Sequence, residues 1–258
     1  MSRPAIDVRD SGEAVESFRA LGVEAFTTGR AAGNFSTASD EPASAVMARW
    51  SALREAVGGD RGRLATAKQV HGAAIVVHSG AWRGWLRGPD ADGHIAPARG
   101  TALAVSVADC VPVFLAHPHG LTAVLHSGWR GTAARITELA IREFLTLGLA
   151  ASDLHLHCGP AICGKCYEVS PDVYERLTGR RVHVPTTVDL RALITEQARA
   201  LGVVNISVSA RCTKCDNDRF FSHRAGDSGR QIAVIYAAEQ RSDGKSSSED
   251  QYPVSGTR

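Results

Sequence analysis

The sequence is poor in cysteine, methionine and aromatic side chains, and neither sign of charge dominates it. Six cysteines in 258 residues are far too few for a disulfide-stapled scaffold. Lys and Arg number 29 against 27 Asp and Glu, whereas a dedicated nucleic-acid binder carries a basic face or run. Apolar runs such as residues 111–116 are strand-sized and well short of a membrane span. The first twenty residues hold four acidic side chains and no signal-peptide apolar core. A globular cytoplasmic chain is therefore expected, with thiols that are reduced and available as ligands or nucleophiles. What is present, 44% apolar and 22% charged residues, suffices for one sizeable core.

Mixed strand and helix signals run along the chain. Residues 23–28, 102–107, 111–116, 121–125, 154–158, 203–208 and 231–237 read as strands, and residues 63–78 as two strand pieces around Gly72. Val46, Trp50, Leu53 and Val57 recur at four, three and four residues, one buried helical stripe that Gly58-Gly59 should end. Ile136, Ala140 and Phe144 form a second stripe, introduced by the glycine turn Gly128 to Thr132 and ended at Gly148, and a third helix is expected near 189–201. Residues 80–100, rich in Gly, Pro and Asp, read as loop. Without regular βαβ alternation the fold class is α+β, with mixed sheets in a single domain. The expected organisation is an N-terminal extension over 1–21, a catalytic domain over 22–238 and a disordered polar tail over 239–258. No apolar stripe remains after the core helices are assigned, so monomer and weak dimer both fit.

Three strand ends or turns hold the reactive side chains: His71, Asp109-Cys110 and His126. One thiolate and two imidazoles suit borderline-soft zinc, with a fourth position left open. Their separations of 39 and 16 residues match no zinc finger, and two other readings stand beside it. Cys110 and His126 could form a nucleophile pair, or each residue could have a separate structural role. Cys163-Gly164-Lys165-Cys166 and Cys212-Thr213-Lys214-Cys215 are two C-x-x-C pairs. They suit a four-cysteine zinc site, a redox pair or local structural roles. His155 and His157 share one strand face, yet Met47 is the sole methionine besides Met1, which disfavours a laccase-type copper centre with an axial Met. Gly128 to Thr132 before a helix, with Arg130 beside it, suits an anion.

Taken together, five ordered motifs narrow these readings. They are Thr66-x-Lys68-Gln69-Val70-His71-Gly72; Ala108-Asp109-Cys110-x-Pro112; His126-x-Gly128-Trp129-Arg130-Gly131; Gly159-Pro160-Ala161-Ile162 with Cys166-Tyr167-Glu168-Val169; and Cys212-Thr213 with Phe220-Phe221-Ser222-x-Arg224. The set closely resembles the bacterial polyphenol oxidase / purine nucleoside phosphorylase family, also called the peptidoglycan editing factor or multicopper laccase-like family. The resemblance implies a layered α/β/β/α domain shared in outline with certain cysteine hydrolases. It implies zinc on His71, Cys110 and His126, with copper as the alternative metal. It also implies phosphorolysis of adenosine, inosine and methylthioadenosine together with adenosine deamination, so purine nucleoside and phosphate would be the partners. Copper-dependent phenol oxidation and Cys-His editing of peptidoglycan precursors are the family's other attributed activities.

By the same resemblance Lys68, Arg130, Ser222 and Arg224 join the pocket, Asn34 and Arg49 match loosely, and Asp109 would orient a ligand or shuttle a proton. The chain departs from the family at Gly29 to Phe35, where a glycine-rich Gly-Gly-Val-Ser segment is usual. It departs again at Lys165-Cys166 in place of paired cysteines, and at Asp92-Gly93 in place of Asp-Ala.

Overall fold

The computed structural model describes residues 12–57, 63–80 and 82–239. Two six-stranded mixed sheets form its centre. The first runs β1 (Glu13–Ala14), β2 (Val23–Thr27), β14 (Gln231–Ala237), β7 (Ala102–Val107), β3 (Leu64–Lys68) and β5 (Trp85–Asp90). The second runs β13 (Asn205–Val208), β10 (His155–Cys158), β8 (Val111–Ala116), β9 (Thr122–Ser127), β6 (Gly93–Ala96) and β4 (Ile75–Val77). A small antiparallel pair, β11 (Glu168–Val169) and β12 (Thr186–Thr187), lies apart.

Side-chain alternation produces the layers. In β7, Leu103, Val105 and Val107 meet Phe114 and Val124 of the second sheet, while Ala102 and Ala104 turn the other way. That outer face receives Val46, Trp50, Leu53 and Val57 of α1 (Ala43–Val57), the predicted stripe. The outer face of the second sheet, Val111, Val113, Leu115, Ala123 and Leu125, is covered by Ile136, Ala140, Ile141 and Phe144 of α3 (Ile136–Thr146). Leu190, Ile194 and Ala198 of α5 (Leu190–Ala200) complete that cover. Helix, sheet, sheet and helices stack in the expected α/β/β/α order. Strands β8 and β9 are buried along their whole length, which explains the continuous apolar sequence of β8 and the apolar centre, residues 123–125, of β9. Each fully buried Leu or Phe there contributes roughly 1.5–3 kcal/mol.

Several expectations change. Among the described residues of 80–100, which read as loop, lie β5 and β6, and Gly93 explains the misreading. A Cβ there would lie 2.8 Å from Leu125 Cδ2 and 2.9 Å from Ile75 Cγ1, so this glycine permits close strand packing and does not mark a turn. The Gly128 turn does not lead directly into the long helix. It starts a separate short helix, α2 (Trp129–Ala133), and Arg135 in left-handed backbone (φ 61°) divides α2 from α3. A further helix, α4 (Pro171–Thr178), begins after Ser170 with Pro171 in its first turn. The expected boundary at residue 22 falls inside the packed unit, because Val15 and Phe18 are buried between the sheets. Residues 240–258 of the expected tail and the Gly58-Gly59 helix end lie outside the described residues. No helix among the described residues is long and apolar enough to cross a membrane.

Candidate active site

His71 on the connection after β3, Cys110 on the connection between β7 and β8, and His126 in strand β9 meet. The donor atoms of the three residues all lie within 4.8 Å of one another, and the two imidazole rings stand edge to face with centroids 4.8 Å apart. His126 ends the inter-sheet side of β9 and is 4% exposed. Cys110 follows Asp109 where the chain passes from β7 in one sheet to β8 in the other. Asp109 has φ +82° and His71 φ +59°; such backbone is uncommon for residues other than glycine and clusters at functional sites.

One carboxylate organises both histidines. Asp92, fully buried at the start of β6, accepts the backbone N–H groups of Val70 (3.1 Å), His71 (3.0 Å) and Gly72 (2.7 Å). Its Oδ1 also lies 2.7 Å from His126 Nδ1. Burial alone would raise the Asp92 pKa, but these hydrogen bonds outweigh it and hold the carboxyl below its ordinary value. An ionised Asp92 keeps the proton on His126 Nδ1 and leaves Nε2 as the donor toward the cluster. Gln69 anchors the same loop to β7, donating to Ser106 O (2.7 Å) and accepting from Ser106 N (2.8 Å).

The trio fits a metal ion. Its donor set is that of a three-ligand zinc site with one position open. Gly128 leaves the room: a Cβ there would lie 2.8 Å from Cys110 Sγ and 3.5 Å from His71 Cδ2. Desolvation raises the Cys110 pKa, but the charge and hydrogen bonds of His126, with His71, outweigh it and bring the thiol down to about 6, so the thiolate that a metal requires is available. His126 is pushed up to about 9: burial opposes its charge, and the Cys110 thiolate and Asp92 overcome that.

The other expected residues divide into two groups. Asp109 is not in a regular strand, and its carboxylate is fully engaged. Oδ1 accepts the Thr213 hydroxyl and Oδ2 the Arg224 N–H, each at 2.6 Å. The Arg224 guanidinium lies 5.1 Å from the Tyr167 ring, and that of Arg130 lies over Trp129 at 4.4 Å. Tyr167 feels this whole neighbourhood. Burial, then the negative charge of Cys110 and Asp109, push its phenol up to about 12 against the pull of Arg224 and Arg130. Buried Ser222 accepts the Ala225 N–H and caps the turn that carries Arg224.

Lys68 instead pairs with Asp90 at 3.5 Å and lines a cleft of about 520 Å³ with Trp50, Gln69 and Trp85; no member of the trio lines this cleft. All four hydrogen-bonding positions of the Asn34 amide are used, by Ser36 O, Ser39 Oγ, Ser36 N and Arg230 N. Arg49 binds Asn34 O and Glu41. These two residues tie a turn together. Sequence reasoning passed over the roles of Asp92 and Tyr167. An Asp before a glycine that reads as a turn, and a Tyr beside a Cys in a motif, were the available signals.

Among the described residues there are two groups of three or more metal-ligating side chains, this trio and a cluster of four cysteines. Neither contains the several imidazoles of a multicopper centre. His78 and His94 do approach, Nε2 to Nδ1 at 3.0 Å, with no third ligand.

Comparison with known proteins agrees with the motifs. Residues 13–238 match the family model described as multi-copper polyphenol oxidoreductase laccase. A purine nucleoside phosphorylase of Streptomyces griseus is 33% identical over 208 residues, covering 76% of this chain and 83% of the relative. An adenosine deaminase, RL5, from an unknown prokaryotic organism is 35% identical over 161 residues, 56% of this chain and 62% of its own. The crystal structure of YlmD from Geobacillus stearothermophilus superposes with a TM-score of 0.77 at 30% identity, covering 84% of this chain and 93% of that one.

Proposed function

Because the chain belongs to the multi-copper polyphenol oxidoreductase laccase family, we propose that it is a zinc-dependent purine nucleoside phosphorylase that also deaminates adenosine. The observation that carries this reading is the His71, Cys110 and His126 trio, backed by Asp92 and bordered by Tyr167 and two arginines. His71, Cys110 and His126 would hold the ion. When bound, zinc supplies Lewis-acid activation of water or of a substrate oxygen at its open position.

The chain's own groups divide the remaining work. Asp92 holds the Nδ1 proton of His126 and fixes the loop of His71, so two ligands keep their orientation while substrate enters. Arg130 and Arg224 bind phosphate and neutralise it as it approaches ribose C1′ and the glycosidic bond opens. The Tyr167 hydroxyl, with its pKa near 12, stays protonated at neutral pH and donates to phosphate or to a purine ring nitrogen. Asp109 positions Arg224 through its backbone N–H and steadies the neighbouring Cys110. Adenosine, inosine and methylthioadenosine are the expected nucleosides, and the cytoplasm the expected compartment.

The test is to incubate purified protein with adenosine, with and without phosphate, and to separate the products. Phosphate-dependent adenine and ribose 1-phosphate are expected, together with slower, phosphate-independent inosine. Folded, zinc-loaded protein that yields neither product sinks the proposal. One observation favours a second reading. The lowered Cys110 thiol beside the raised His126 also suits a cysteine nucleophile acting on an amide or ester of cell-wall precursors. Metal-free protein that remains active and is inactivated by alkylation at Cys110 would select it.

A further inference from the structure

The four remaining motif cysteines have no part in that chemistry. Cys163, Cys166, Cys212 and Cys215 sit on two loops, yet their sulfurs all lie within 4.8 Å of one another. All four are free thiols. A tetrahedron of sulfurs around one ion with bonds of about 2.3 Å has edges of roughly 3.8 Å; Cys166 Sγ and Cys215 Sγ are already 3.5 Å apart.

The loops are shaped around these sulfurs. Cys212 Sγ accepts two backbone N–H groups, from Cys163 at 3.3 Å and Cys215 at 3.5 Å, which fix that sulfur between the two loops. Within the first loop, Cys166 N and Tyr167 N both bond to Cys163 O, at 2.9 and 3.0 Å. That folds the C-x-x-C back so that both of its sulfurs face the second pair. The two pairs meet through one parallel bridge, Ala161 with Cys212. Four thiolates on a divalent ion carry a net charge of −2, and an exposed lysine stands inside each pair, Lys165 and Lys214. Four sulfur ligands and no side chain of another type make a closed site of the structural kind.

We propose that Cys163, Cys166, Cys212 and Cys215 bind a second zinc ion, a structural one, which clamps the loop of Tyr167 to the loop of Thr213. The clamp reaches the active site by a short route. Thr213 donates to Asp109 at 2.6 Å, Ile162 N donates to Asp109 O at 3.1 Å, and Asp109 precedes Cys110. Tyr167 follows Cys166 directly. One ion therefore holds both loops that press on Asp109, the residue before Cys110. The 45 residues that intervene between the pairs hide this, because they make α4 and α5 and return along β13 beside β10.

Zinc per chain, measured on dialysed holoprotein, tests the proposal independently of substrate. Two ions are expected in the wild type and one in Cys110→Ala. One is expected in Cys215→Ser and two in Cys215→His, because imidazole replaces thiolate in structural sites. Cobalt loaded into Cys110→Ala should give the intense thiolate charge-transfer and tetrahedral d–d bands of a four-sulfur site, and these should vanish in Cys215→Ser. If Cys215→Ser does not fold, the wild-type and Cys110→Ala zinc counts and the cobalt spectrum still decide. One zinc in the wild type, none in Cys110→Ala and an unchanged count in Cys215→Ser would overturn the proposal. A Cys166–Cys215 disulfide, seen as two thiols protected from alkylation until reductant is added, would overturn it as well.

Discussion

The two clusters of ligating side chains are built on opposite principles. The trio draws two members from connections between strands and one, His126, from strand β9, mixes nitrogen with sulfur, and leaves one side of its ligand set unfilled. The tetracysteine cluster draws on two loops, uses sulfur alone and fills all four positions. The trio is oriented by a buried carboxylate, Asp92, that belongs to neither ligand loop. The cluster is oriented by its own backbone N–H groups. An incomplete ligand set held by a rigid second layer suits chemistry, and a complete set suits holding loops together. One cluster lies where the chain passes between the two sheets, the other on the loops that follow β10 and β13.

Replacing the carboxylate should disturb one cluster and spare the other. Asp92→Asn leaves four hydrogen-bond donors facing a group with one acceptor oxygen. It should lower zinc affinity at the trio and kcat/KM by about 10–100-fold, while the tetracysteine ion is retained. Chelator competition and steady-state kinetics measure the two effects. Gly128→Ala puts a methyl group 2.8 Å from Cys110 Sγ, so the sulfur must move. Displacements of this order cost up to about 10²-fold in kcat/KM, and the cobalt spectrum of the trio should shift with the loss.

A smaller effect should come from Gly93→Ala, behind Asp92. Its methyl group meets Leu125 and Ile75 below 3 Å, and such overpacking destabilises by about 1–3 kcal/mol, which urea denaturation reads directly.

An effect that is absent at neutral pH and appears only in acid concerns His78 and His94, the pair without a third ligand. Burial holds His78 down to about 4 and His94 to about 3, the latter helped by charge on His78. The unfolded chain takes up protons as pH falls below about 6.5, and the folded pair does not. Stability should therefore be flat above that pH on their account and decline as pH falls through about 4. Urea midpoints between pH 7 and pH 4 should show a shallower decline in His94→Phe.

Much of this comparison is written in the sequence, though unevenly. The stripes of α1 and α3, the continuous apolar run of β8 and the short apolar centre of β9 are legible because the apolar pattern reports burial directly. His71, Cys110 and His126 are legible as reactive residues at strand ends, but their meeting depends on which sheet each strand joins. Spacing carries no such information, and the ordered motifs were needed. Asp92 was hidden because a glycine that permits close packing looks the same in sequence as one that turns the chain. Lys68 and Asn34 show how little a motif says about a neighbour's surroundings. Lys68 faces a cleft that the trio does not line, and Asn34 spends its whole amide on a turn. The four cysteines were visible as two pairs, and only the return of β13 alongside β10 closes the 45-residue gap.

The division of labour is tested most directly by comparing phosphate-dependent adenine release by Cys110→Ala and Cys215→Ser at saturating adenosine and phosphate, below the melting temperature of either variant. The account predicts no turnover from Cys110→Ala, and turnover within about tenfold of wild type from Cys215→Ser, which is expected to be less stable to heat but intact at the trio. Full turnover by Cys110→Ala, or its abolition in a well-folded Cys215→Ser, would contradict the assignment of chemistry to the open centre.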